Sequence, residues 1–116
     1  MGKMIMVEWI KELPAEIMVC DTHGIIREMN AEAEALFEAD GGLGLLGSDV
    51  LECHPEPARG KLERMLEKHI TNAYYNTEAG RKRFFFQAPW LLDGQYAGFV
   101  EISFEVPDEI PHFVRG

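Results

Sequence analysis

The sequence predicts an α+β domain in which one antiparallel sheet carries helices on one face. Three observations carry that prediction. Two short apolar runs, Ala15 to Cys20 and Gly24 to Met29, flank Asp21-Thr22-His23-Gly24, where Asp at the first position and Gly at the fourth make a turn. Leu62, Met65, Leu66, His69 and Ile70 recur at i, i+3, i+4, i+7 and i+8, the stripe of an amphipathic helix. Two long β-type runs, Arg81 to Leu92 and Gln95 to Val106, are separated only by Asp93-Gly94, a hairpin signal.

The remaining elements follow in order. Lys3 to Leu13 reads as a short amphipathic helix stopped by Pro14, with Met4, Ile5, Met6, Val7, Trp9, Ile10 and Leu13 forming a wide apolar arc. That arc either packs on the domain's own sheet or faces a second subunit, and the residues leave both readings open. Asn30 is placed to cap a helix over Ala31 to Ala39, with Ala33, Leu36 and Phe37 as its buried stripe and Asp40-Gly41-Gly42 as its end. Leu43 to Glu52 reads as short turns. Pro57 to Ile70 is the clearest helix, with Lys61, Glu63, Arg64, Glu67 and Lys68 on its wet face. Asn72 to Thr77 is a strand and Glu78-Ala79-Gly80 a turn. In the last strand Val100, Ile102, Phe104 and Val106 alternate with Glu101, Ser103 and Glu105. Phe84, Phe85 and Phe86 do not alternate, which predicts cover on both faces. The expected division is a helix over 1–14, the domain over 15–106 and a tail over 107–116 broken by Pro107 and Pro111.

Composition bounds the function. The chain has 116 residues, 47% hydrophobic and 27% charged, which suits one domain with a real core and excludes disorder. Its net charge of −9 argues against direct nucleic-acid or anionic-membrane binding. The N-terminal run is broken by Lys3, Glu8, Lys11 and Glu12, so it reads neither as signal peptide nor as membrane span. Cys20 and Cys53 have no framework spacing, and a reduced, cytoplasmic setting is expected.

Val19 to Phe37 resembles the opening of a PAS domain: a strand, an Asp-x-x-Gly turn, a strand ending in Asn, and a helix with a Leu-Phe pair. Leu46-Gly47 followed by Leu51, His54-Pro55-Glu56 at the head of the long helix, and Asp93-Gly94 with Gly98 to Ile102 extend the likeness over about Ala15 to Val106. The resemblance implies a five-stranded antiparallel sheet cupping a small-molecule cavity beneath the long helix, in a domain that senses or dimerises and does not catalyse. In haem-binding relatives the resemblance would place the ligand at Leu62, which leaves only His54 and His69 as substitutes. Both fit ordinary roles better, His54 before the helix and His69 in its last turn. Light-sensing relatives use a cysteine in an Asn-Cys-Arg-Phe-Leu-Gln type motif, whose neighbours Cys53 lacks. Haem and flavin are therefore not expected, and the cofactor is left unknown. Cys53 and His54 are adjacent and cannot easily share an ion, and no hydrolytic motif is present.

The candidate pocket residues are Phe37, His54, Met65, His69, Phe86, Gln87 and Trp90, with Ala88 beside them. Taken alone, these side chains fit core filling better than a lined pocket, and the acids all look solvated. The reading that results is a non-enzymatic signalling domain, homodimeric through the N-terminal helix and the outer sheet face. It would respond to a small molecule or a partner protein by population shift, in signal transduction or transcription regulation. A ligand-free adaptor is the rival, a haem-based gas or redox sensor a further alternative, and an enzyme using His54 or His69 the remotest. Glu101 and Glu105 are expected on the partner-facing side, complemented by a basic patch or by Arg81-Lys82-Arg83 of a second subunit.

Overall fold

The computed structural model describes residues 7–52 and 54–116. The first helix, α1, is one turn, Glu8–Lys11, and none of its residues is buried. Part of the expected apolar arc, Met4 to Met6, lies outside the described residues. Of the rest, Val7 and Trp9 are exposed, so these two do not pack on the domain's own sheet.

β1 (Glu16–Cys20) and β2 (Ile26–Met29) form the expected hairpin, with Met18 opposite Met29 and Cys20 opposite Ile26. Its turn closes because Asp21 Oδ1 accepts from the amides of His23 and Ile25 at 2.9 and 3.1 Å, while Gly24 takes φ +77°. Asn30 caps α2 (Ala31–Leu36), accepting from the Ala33 amide. The helix ends sooner than its apolar spacing suggests. Two 3₁₀ turns, Glu38–Asp40 and Gly42–Leu45, follow, and Leu36 faces solvent while Ala33 and Phe37 face inward.

α3 (Ala58–Lys68) is the long helix, and only Met65 on it is buried. Its expected stripe stops early. His69 caps the helix at φ 55°, a left-handed residue that swings the chain away, so His69 and Ile70 are exposed.

β3 (Asn72–Glu78), β4 (Arg81–Leu92) and β5 (Gln95–Val106) complete one antiparallel sheet in the order β2-β1-β5-β4-β3. Both of their turns, Ala79-Gly80 and Asp93-Gly94, put two successive residues at positive φ, the twist that two-residue hairpins require. Pro89 is tolerated in β4 because pairing with β3 stops at Asn72–Gln87, so no partner strand awaits its missing N–H.

The alternation of β5 is real, but its sides are the reverse of the usual expectation. Tyr74 stacks on Phe85 on the face that carries the helices, at 5.0 Å between rings. One residue on, Tyr75, Phe84 and Phe104 form a ladder on the opposite face at 5.4 and 5.8 Å. Glu101 and Ser103 therefore point in, and Ile102 and Phe104 point out. Phe86 is 36% exposed, so the phenylalanine run is not covered on both faces by the described residues. Arg81 is spent on Glu105 of its own chain and Arg83 on Ser103, each at 2.9 Å.

Candidate functional site

Beneath α3 the sheet encloses a cavity of about 390 Å³, within the roughly 300–1,000 Å³ typical of small-molecule sites. Its walls come from every layer. Met18 and Cys20 of β1, Ile26 of β2, Phe85 and Gln87 of β4, and Phe99 and Glu101 of β5 form the floor. Leu62, Met65 and Leu66 of α3 form the roof, and Phe37, Asp40, Leu45, Val50 and His54 close the side. Roof and floor meet where Met65 packs with Cys20 and Phe99, joined by Leu66 and Tyr96. Apolar side chains surround this space without occupying it.

The floor carries a polar row that the sheet register builds. Asn72, Gln87 and Glu101 lie opposite one another on three neighbouring strands. Asn72 Nδ2 donates to Gln87 Oε1 at 3.1 Å, and Gln87 Nε2 donates to Glu101 Oε2 at 2.6 Å. A second row pairs Glu16 with Ser103, whose hydroxyl donates to Glu16 Oε1 at 2.6 Å and accepts from Arg83. Both Glu16 and Ser103 are fully buried, and the Glu16 carboxyl also has a side-chain hydrogen bond with Glu101. Burial, reinforced by the charge of Glu101, pushes the Glu16 carboxyl up to about 9 despite the Ser103 hydrogen bond and Arg83. Glu16 is therefore held as the neutral acid at pH 7. Burial and the same two carboxyls also raise the Tyr74 hydroxyl.

A pH prediction follows from Glu16. In the unfolded chain its carboxyl ionises near its ordinary value of 4.5, whereas the folded protein keeps the proton until about 9. Its contribution is complete below the lower value and is lost progressively as pH rises through that window. Glu16→Gln keeps the shape without the ionisation. The variant should gain on the native protein by more than about 1.4 kcal/mol between pH 5 and pH 8, one pK unit's equivalent, in urea unfolding. A gap that stays constant with pH would refute the neutral, buried acid.

The predicted residues divide cleanly. Phe37, His54, Met65 and Gln87 line the cavity. His54 sits exposed at its edge, and its Nδ1 must carry the proton because its partner at 2.7 Å is the Val50 carbonyl. His69 does not line the cavity; beyond the left-handed cap it stacks on Tyr96 with ring centres 3.6 Å apart. Phe86, Ala88 and Trp90 belong to the opposite row of β4, one residue out of phase with Phe85 and Gln87. Trp90 instead crosses Gly98 and donates Nε1–H to the Cys20 carbonyl at 3.1 Å. Sequence reasoning missed Glu16, Tyr74 and Glu101. The signal for Glu16 was its phase, since it shares a strand face with Met18 and Cys20.

Cys20 is buried, and burial raises its thiol to about 11, which makes it inert. Cys53 lies outside the described residues. Among the described residues no group of three or more His, Cys, Asp or Glu side chains is placed to hold a metal, and no helix is long and apolar enough to cross a membrane.

No family model and no curated protein matches the sequence. Solved structures do match. A C-terminal domain from Streptococcus mutans superposes with a TM-score of 0.69 at 19% identity, over 84% of this chain and 79% of that one. The PAS domain of Bordetella pertussis BvgS gives 0.64 at 21%, over 86% and 82%. A sensory box sensor histidine kinase from Vibrio cholerae gives 0.59 at 15%, over 85% and 87%. At such identities the likeness is one of architecture. The sheet order, the long helix over the cavity and these superpositions agree, and the chain has the PAS fold.

Proposed function

We propose that this domain is a non-enzymatic sensor whose cavity takes a small, largely apolar molecule and passes its occupancy to the sheet. The observation that carries the reading is the cavity itself, about 390 Å³ of open space between α3 and a floor that includes the central strand β5. Its roof rests on the floor mainly through Met65, so a molecule in the cavity bears on β1 and β5 directly. The sensor kinases among similar structures support a signalling role. One similar structure, from Vibrio cholerae, is described as a PAS-heme oxygen sensor. Of the two histidines that could substitute as a ligand, His69 is turned onto Tyr96 and away from the cavity, while His54 stands at its edge; Leu62 occupies the helix position facing the cavity.

A fragment screen on the full chain, read by amide chemical shifts, tests the reading. Hits should perturb Met18, Cys20, Met65 and Phe99 together. A screen whose hits all fall outside the cavity lining, or that yields none, would overturn it.

The outer sheet face favours a second role in association. Tyr75, Phe86 and Phe104 are exposed there on one contiguous surface, which fits a homodimer or a signalling partner.

A further inference from the structure

The polar chemistry of the cavity is one-sided. Two carboxylates, Asp40 and Glu101, line it, and among the described residues no lysine or arginine does. The nearest cation on the floor, Arg83, is directed to Ser103 and lies outside the lining. The orientation of the amide row sharpens this. Asn72 spends a donor on the Gln87 carbonyl oxygen, which fixes the Gln87 amide with its NH₂ toward Glu101. Each hydrogen bond in the row therefore runs toward Glu101, and the row ends on an acceptor. Four groups face that carboxylate or share its surroundings: the neutral acid Glu16 from β1, the Gln87 amide from β4, the Tyr74 hydroxyl from β3, and Asp40 across the cavity. None of the four is a cation. At the mouth, His54 spends its Nδ1 proton on Val50, leaving Nε2 as an acceptor when the ring is neutral.

A ligand with an anionic group would meet the half-buried Glu101 carboxylate and the exposed Asp40 carboxylate with no compensating cation in the described lining, which is unfavourable. A ligand bringing a donor or a positive charge would complete the row. Resting on the reading of this cavity as a ligand site, we propose that it selects small aromatic or aliphatic amines over the matching carboxylates, with Glu101 as the anchor for the nitrogen.

Three indoles that share one ring system and differ in the charge of the side chain test this on the full chain by NMR titration: tryptamine, 3-methylindole and indole-3-propionate. Tryptamine should bind at least about tenfold more tightly than indole-3-propionate, with shifts at the Gln87 side-chain amide and at Met65. In Glu101→Gln that ratio should fall below about threefold. Asp40→Asn removes the second lining carboxylate, which lies at an exposed position, and should lower the ratio only in part; it serves as the second variant should Glu101→Gln fail to fold. Equal or tighter binding of the propionate would overturn the amine preference while leaving the ligand-site reading intact. Loss of the preference in Asp40→Asn would overturn the assignment to Glu101. If none of the three shifts a cavity residue, the ligand-site reading fails, and the amine preference with it.

Discussion

Asn30→Ala should cost the domain about 3–5 kcal/mol, more than any other single polar deletion in the molecule. Asn30 is 2% exposed and uses both ends of its amide. Oδ1 accepts from the amides of Ile17 and Ala33 at 3.0 and 3.1 Å, and Nδ2 donates to the carbonyls of Ile10 and Ala15 at 3.0 and 2.8 Å. One side chain thus ties α1, β1 and α2 together. Alanine would strand these groups, each at about 1–3 kcal/mol if water cannot reach it, and partial rehydration near the exposed α1 sets the lower bound. Asn30→Asp separates the roles, since it retains the helix cap and loses the two donors. Urea unfolding with an unchanged m value should show both losses, with the aspartate variant keeping part of the cap's share. A loss below about 1 kcal/mol for alanine would mean that these bonds are not made in solution.

Gly98→Ala should be comparably severe, at about 3 kcal/mol or more. Gly98 takes φ +145°, a conformation that side chains resist. A Cβ there would overlap the Cys20 carbonyl oxygen and come within 2.8 Å of Trp90 Nε1. The missing side chain is what lets Trp90 lie across β5 and bond to β1, beside the strand face where Cys20 and Phe99 meet Met65. Trp90→Phe removes only the hydrogen bond and should cost about 1 kcal/mol. Thermal unfolding of the two variants checks the order; an alanine variant as stable as Trp90→Phe would contradict the close approach.

The elements of this fold were legible because they depend on local chemistry. The Asp21 turn, the Asn30 cap, the α3 stripe and the two tight hairpins each announce themselves within a few residues. Which face of the sheet turns inward was not legible. Alternation in β5 separates Glu101 and Ser103 from Ile102 and Phe104, and hydrophobicity alone assigns the apolar row to the core. The fold does the opposite, because the polar row can satisfy itself through partners on two other strands, Glu16 on β1 and Arg83 and Gln87 on β4. Those partners are distant in sequence, and they pair only once β1, β4 and β5 are in register. The same inversion explains why Phe86 and Trp90 were placed in the pocket and Phe85 was not. His69 was misplaced for a different reason: periodicity continues through it, but the backbone turns left-handed there.

The central claim is that a molecule in the cavity acts on the sheet. Hydrogen exchange of the full chain, with and without saturating tryptamine, measures it most directly. Occupancy should slow exchange of the amides that pair β1 with β5, between Ile17 and Cys20 and between Phe99 and Ile102, by about tenfold or more, since the floor would gain packing it now lacks. Protection confined to α3, with the β1–β5 pairing unchanged, would contradict the account.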